Sequence, residues 1–317
     1  MKRDASDKIV KRRISISADS IFHAIIATCA ISIIILAFLL FYELLNGAQI
    51  SILKFGLNFL LETTWDPVFE VFGALPFIFG TLLSSLIALI IAIPLSVGVA
   101  IYLSELAPSK IRDPFSFVIE LIAAIPSVII GLWGIFVLAP VMRDFIMPFL
   151  ADTLGFLPFF QGPRFGLSML TGGVILAIMI IPIISSVSRE VLLAVPDTQR
   201  EAALALGATK WEMITMAVIP YARPGIFGAI ILGFGRAIGE TMAITMVIGN
   251  SPTISWSLFS QAHTMAAVIA NEFTEATYDL YISALIEIGL LLFIITLIIN
   301  ILARLLIWRM KREVGRE

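Results

Sequence analysis

Six stretches of this 317-residue chain are predominantly apolar over about 20 residues or more, at approximately 21–45, 73–103, 116–140, 166–188, 224–249 and 280–303. A helix that crosses the roughly 30 Å hydrocarbon layer of a bilayer needs about 20 such residues, so each stretch is long enough to span. Length alone would suggest about two soluble domains. Composition overrides that: 59% hydrophobic residues, 14% charged residues and a mean hydropathy of +1.02 leave too little polar surface for a soluble fold. The expected architecture is all-α and integral to the membrane, with six transmembrane helices.

The charges are sorted by topology, so the net charge of −2 says little. Lys2, Arg3, Lys8, Lys11, Arg12 and Arg13 precede the first apolar run. That run is 25 residues long, against about 7–15 for a signal-peptide core, and reads as a retained first helix. With the N-terminus inside, the segments 1–20, 104–115, 189–223 and 304–317 carry 6, 2, 4 and 5 of the 21 Lys and Arg residues. The segments placed outside carry only Lys54, Arg143 and Arg164. This bias follows the positive-inside rule and places both termini in the cytoplasm. The domain reading is a basic tail at 1–20, a six-helix domain at 21–308 and a C-terminal tail at 309–317. The lipid bilayer is a partner; nucleic acid is not.

Pro94, Pro126 and Pro182 fall inside three of the apolar stretches and are expected to kink them. ISILKFGLNFLLETTW, within 46–72, suits an amphipathic helix lying at the interface. Residues 141–165, with their prolines and glycines, read as an irregular loop. Cys29 excludes a disulfide framework and is expected to pack as a small residue. The two histidines, His23 and His263, are expected to have local structural or interfacial roles. No HExxH, paired cysteines or nucleophile elbow is present. None of the seven lysines follows a glycine, so the chain lacks the usual phosphate-binding loop for ATP. Covalent catalysis by this polypeptide is not expected.

The polar connection 196–220 reads PDTQREAALALGATKWEMITMAVIP. Thr198 stands three residues before Glu201, the capping-box spacing, and EAALAL favours helix. Gly207 sits where a helix end needs a left-handed residue. Thr209 and Glu212 repeat the capping-box spacing and open a second helix, which Pro220 is expected to end. The prediction is helix, glycine bend, helix: a bracket projecting from the membrane. Ala202, Ala203 and Ala205 give it a small-residue face suited to docking.

The order E-A-A, three residues, G, with a proline thirteen further on, resembles the EAA signature of binding-protein-dependent ABC importer permeases. Ala217 and Ile219 depart from the isoleucine and leucine of that pattern. FGALPFIFGTLLSSLIALIIAIPLSVGVAIYLSELAP at 72–108, IELIAAIPSVIIGLWGIFVLAP at 119–140 and LGFGRAIGETMAITMVIGN at 232–250 are similar to the PstC-type permeases of phosphate importers. The resemblance implies the type I importer permease fold and a bracket that docks into a separate ATPase through Glu201, Ala202, Ala203 and Gly207. It further implies a second, homologous permease subunit, an ATPase dimer that holds ATP and Mg, and an extracytoplasmic phosphate-binding protein. This chain would then need no cofactor of its own.

Arg236 and Glu240 lie within the fifth apolar stretch, where each costs roughly 2.5–3.5 kcal/mol at mid-depth. On a continuous helix their i,i+4 spacing puts them on one face. Gly235 and Gly239 beside them would let another helix approach. Two readings stand: the pair neutralises itself and locks the helix to a neighbour, or Arg236, Glu240 and Thr241 line a translocation path. A guanidinium matches an oxyanion with paired donors. Glu240 would then restrain Arg236 or accept a bond from a protonated phosphate oxygen. Glu287 is a weaker candidate, expected near the outer interface with solvent or headgroups as partners. The alternatives in function are a permease for phosphonate, sulfate or molybdate, and a secondary anion transporter or channel. A membrane-embedded enzyme is more distant.

Overall fold

The computed structural model describes residues 18–314 and divides into two compact units, Met1–Asn46 and Gly47–Glu317. The first unit contributes all but the last residue of helix α1, Ala18–Gly47, most of whose described side chains are exposed. Cys29 is among the exposed residues, contrary to the packing role expected of it. Most of the tail at 1–20, and the last three residues of the tail at 309–317, lie outside the described residues. So do the six basic residues of the former.

The second unit opens with two short helices, α2 (Gln49–Phe55) and α3 (Asn58–Leu61), where an interfacial helix was expected. The rest is organised around α4, Leu75–Leu106, and α7, Met169–Leu193, which pack along each other at its centre. Their approach is close: a Cβ at Gly173 would lie 2.4 Å from the Ile87 side chain. Ile87, Ala88, Ile175, Ile180 and Ile184 anchor this core, and α9 (Lys210–Gly239) packs on its other side through Ala229 and Ala237. α12, Asp279–Val314, packs on α9 and on the short helix before it, α11 (Met265–Glu272). A second, aromatic cluster forms near α2 and α3. There Trp65 meets Phe72 and Phe77 edge to face, at centroid distances of 4.8 and 4.9 Å. Among the described residues, six helices are long and apolar enough to cross a membrane. No strand longer than an isolated bridge occurs among the described residues.

The third spanning helix departs from the sequence expectation. Residues 116–140 do not form one helix: α5 (Ser109–Ala123) ends before Pro126, and the spanning segment is α6, Ser127–Leu154. Pro126 caps α6 with extended ψ of 139° rather than kinking a helix from within. Its ring disfavours helix in the residue before it, which is why the break falls there. Residues 141–154 are helical instead of irregular. Of the prolines that suggested a loop, Pro148 is absorbed by a wider π turn at Met142–Ile146 that ends two residues before it; Pro140, just upstream, is preceded in the same way by a π turn at Gly134–Leu138. Two more π turns, Tyr102–Leu106 and Ile214–Val218, precede Pro108 and Pro220 in the same way. A π turn shifts the hydrogen-bond ladder to i→i+5, which relieves the demand for the N–H that proline lacks. Pro220 therefore does not end a helix; it lies inside α9.

α9 itself stops earlier than expected. It ends at Gly239, and Glu240 leaves it with φ −71° and ψ 130°. A short helix, α10, resumes at Met242–Val247. The chain after α10 turns back over the start of α7. The N–H groups of Ser168, Met169 and Leu170 donate to the carbonyls of Val247, Ser260 and Leu258 at 3.0, 2.9 and 2.9 Å. Three donors at the start of α7, orphans by helix geometry, are thus used to tie down the end of α10 and the chain that follows it.

Candidate functional site

The break at 239–241 decides the geometry of the buried charges. Because Glu240 is no longer helical, it and Arg236 do not share a helix face, and no ion pair joins them among the described residues. Glu240 instead turns toward α10, where its Oε1 accepts from the Ala243 N–H at 3.3 Å. A carboxylate there also meets the positive pole of the short helix. Thr241 is the residue that opens α10, and its carbonyl accepts from the Thr245 hydroxyl at 2.6 Å. Its own Oγ1 makes only a long bond, 3.4 Å, to the Gly239 carbonyl.

Arg236 is left in the last turn of α9, exposed, with no hydrogen bond or ion pair to the described residues. What offsets its charge within the chain is the C-terminal pole of α9, where a cation is favoured. Its side chain lines an open cleft of about 450 Å³ together with Ile183, Ile231, Leu232, Gly235 and Asn300. Asn300, on α12, commits one amide N–H to the Thr296 carbonyl at 2.9 Å. Sequence reasoning missed it: an asparagine in an apolar run was the available signal, and it lies 64 positions from Arg236. The expected close approach at Gly235 and Gly239 is not made within this chain. A Cβ at either position would meet nothing within 4 Å. The glycines of α9 that pack tightly are Gly225, where a Cβ would lie 2.4 Å from the Val191 side chain, and Gly233, where it would lie 2.6 Å from Ile184.

A second region is the bracket. It consists of α8, Asp197–Ala205, a bend at Gly207 with φ +87°, and the first turns of α9. The Thr209–Glu212 capping box is present: Glu212 Oε2 accepts from the Thr209 N–H at 2.7 Å, and the Glu212 N–H donates to Thr209 Oγ1 at 3.3 Å. The Thr198–Glu201 box is absent. α8 starts directly after Pro196, so Thr198 is already inside the helix, and Asp197 supplies the acidic first turn. Glu201 consequently keeps its carboxylate exposed beside exposed Ala202, while Ala203 is half-buried against the base of the bracket. Leu206 and Trp211 are 90% and 64% exposed around the Gly207 bend. These two apolar residues in a polar connection also escaped the sequence reading.

The bracket is joined to the bundle by Arg200. Its guanidinium bonds Glu105 at the end of α4 and the Leu192 carbonyl at the end of α7, and the Glu105 bond raises its pKa above the ordinary arginine value. Two further acidic or basic groups lie apart from both regions. Glu287 is buried, with one carboxylate oxygen lacking a hydrogen-bond partner, so it does not meet solvent or headgroups as expected. His263 is buried at 5.3 Å from the Phe77 ring, and burial pushes its pKa down to about 4.

The pattern of binding-protein-dependent transport system inner membrane components matches residues 92–312. The chain belongs to that family. Among its relatives, the phosphate transport system permease protein PstC of Haemophilus influenzae is 49% identical to this permease over 94% of the chain and 96% of its own length. The PstC protein of Mesorhizobium japonicum is 44% identical over 99% and 96%, respectively. A probable PstC of Methanocaldococcus jannaschii is 36% identical over 89% and 92%. Among solved structures, a bacterial ABC transporter that imports alginate superposes with a TM-score of 0.58 at 19% identity, covering 91% of this permease and 96% of that chain. The MetNI methionine ABC transporter gives 0.56 at 16% identity, over 78% and 99%. The fold of this permease is therefore that of ABC importer permeases.

Proposed function

We propose that this permease is one subunit of an ATP-driven importer of inorganic phosphate, and that Arg236 receives the anion on its way through the membrane. The observation that carries the reading is the open cleft around Arg236: a guanidinium at a helix break, unpaired among the described residues, beside a polar amide. A phosphate dianion in a poorly solvated channel needs a cation, and the planar guanidinium offers it two parallel donors. Glu240 is occupied at one oxygen by the Ala243 N–H, and its other oxygen is the group that would accept from a protonated phosphate oxygen. Thr241 supports the break that holds both. The phosphate-permease relatives named above support the choice of anion.

In this reading the bracket faces the cytoplasm, as the Lys and Arg distribution favours. It docks into an ATPase dimer through Glu201, Ala202, Ala203 and the Gly207 bend, with Leu206 and Trp211 adding apolar surface. ATP and Mg are bound by those subunits. A second permease completes the path on the open face of α9, and an extracytoplasmic binding protein delivers phosphate. The alginate transporter solved with its substrate-bound periplasmic protein illustrates that last arrangement for another member of the fold.

The test is uptake of labelled phosphate by the reconstituted complex, with sulfate and phosphonate as competitors. Arg236→Gln is expected to leave assembly intact and lower uptake by roughly two to three orders of magnitude. That matches the about 3–5 kcal/mol lost when one partner of a buried charge pair is removed. Normal phosphate uptake by this variant would sink the reading.

A further inference from the structure

Arg200 is the most completely bonded side chain at the bracket. A guanidinium has five N–H donors, and each has an acceptor here. Nε donates to Glu105 Oε2 at 3.2 Å, and Nη2 donates to Glu105 Oε1 at 2.8 Å and to the Leu192 carbonyl at 2.9 Å. Nη1 donates to the Val195 carbonyl at 2.5 Å and to Asp197 Oδ1 at 3.1 Å. The pair is sheltered: the Arg200 and Glu105 side chains are 16% and 5% exposed.

Three separate elements meet at this one group. Arg200 lies on α8, the bracket helix; Glu105 lies in the π turn that closes α4; Leu192 is in the last turn of α7. α4 and α7 form the central pair of the bundle, and α7 also packs along α9, which carries Arg236. An apolar cluster of Leu192, Val195, Met213, Ile214 and Val218 also lies under the bracket. Apolar contact is non-directional and tolerates sliding, whereas the forked pair fixes both distance and orientation. A displacement of α8 along its own axis would therefore pull Glu105, and the end of α4 with it.

We propose that Arg200 and Glu105 are positioning residues that form a strut, transmitting movement of the docked bracket to the α4–α7 pair. The proposal rests on the reading of the chain as an ATPase-coupled permease. It makes the bracket's two tasks separable. Exposed residues around Gly207 hold the ATPase; the sheltered pair behind them converts its motion into a change in the bundle.

The experiment uses the reconstituted four-subunit complex with its binding protein, and measures three quantities: ATPase co-purification, ATP hydrolysis and phosphate taken up per ATP hydrolysed. Glu105→Gln keeps the shape and one hydrogen bond while removing the charge; Arg200→Ala removes the strut. Both are expected to retain the ATPase at wild-type stoichiometry and to hydrolyse ATP. Uptake per ATP should fall about tenfold, within the range typical of coupling between sites. Arg200→Lys, which keeps the charge and three donors, should recover part of the ratio. An unchanged ratio in Glu105→Gln and Arg200→Ala overturns the strut. So does loss of ATPase co-purification with the ratio preserved in the residual complex, since the pair would then only shape the docking surface. If the wild-type complex itself shows no ATP-dependent phosphate uptake, the underlying functional reading fails instead.

Discussion

Arg200 and Arg236 bring the same guanidinium into sheltered or membrane-depth surroundings, and the fold completes only one of them. Arg200 finds five acceptors on three elements, whereas Arg236 finds none among the described residues and lines an open cleft. A cation whose donors are all used has nothing left for a ligand and becomes part of the frame. A cation left incomplete at a helix break is favoured only by the helix pole behind it, and an anion would complete it. On the two proposals made above, the arginines separate mechanical from chemical use of one side chain.

The contrast is sharpest when both arginines are replaced by lysine, which keeps the charge and loses the planar fork. Arg236→Lys is expected to reduce labelled phosphate uptake roughly tenfold or more, from the loss of one charge-assisted bond of about 1.5–3 kcal/mol. Arg200→Lys should leave the phosphate concentration for half-maximal uptake unchanged and alter only uptake per ATP. A shift of that concentration with Arg200→Lys would break the division between them.

Gly207→Val tests the docking side. Its φ of +87° is strained for a β-branched residue whatever the space, and the space there is open. The strain costs about 1–3 kcal/mol, so ATPase capture by the purified permease should weaken roughly fivefold or more, with the helical content unchanged. ATPase capture at wild-type affinity would remove the bend from the docking surface.

Asn300→Leu should have the smallest effect. If the amide helps to read the anion beside Arg236, uptake falls about two- to threefold, near the 0.5–1.5 kcal/mol of an ordinary hydrogen bond. Sulfate should then compete better than before. Unchanged uptake and competition would confine recognition to the arginine.

Local chemistry was legible in the sequence where all of its partners are close in the chain. The Thr209–Glu212 box and the left-handed Gly207 depend on a few consecutive residues, and both form as expected. Thr198 and Glu201 have the same spacing, yet Pro196 starts the helix earlier and leaves that box unmade. Periodicity carried the reading of the apolar helices but could not locate the interruptions. Glu240 and Thr241 sit in a sequence that continues as apolar helix on both sides, and the carbonyls that tie the end of α10 and the chain after it to α7 lie on residues distant from α7 in sequence. The Arg200–Glu105 pair spans 95 positions, so nothing in either neighbourhood announces it. The candidate residues could be picked out as residue types; which of them are bonded, and to what, required the tertiary structure.

The π turn at Ile214–Val218 fixes an angular phase. Upstream of it on α9 stands Trp211, on the bracket; downstream stands Arg236, in the cleft. Each residue advances an α-helix by about 100°, so one residue fewer in that turn would swing everything beyond it by roughly that angle relative to the bracket. The extra residue acts as a spline between two faces of one helix, keyed so that the bracket and the cation point where each is needed.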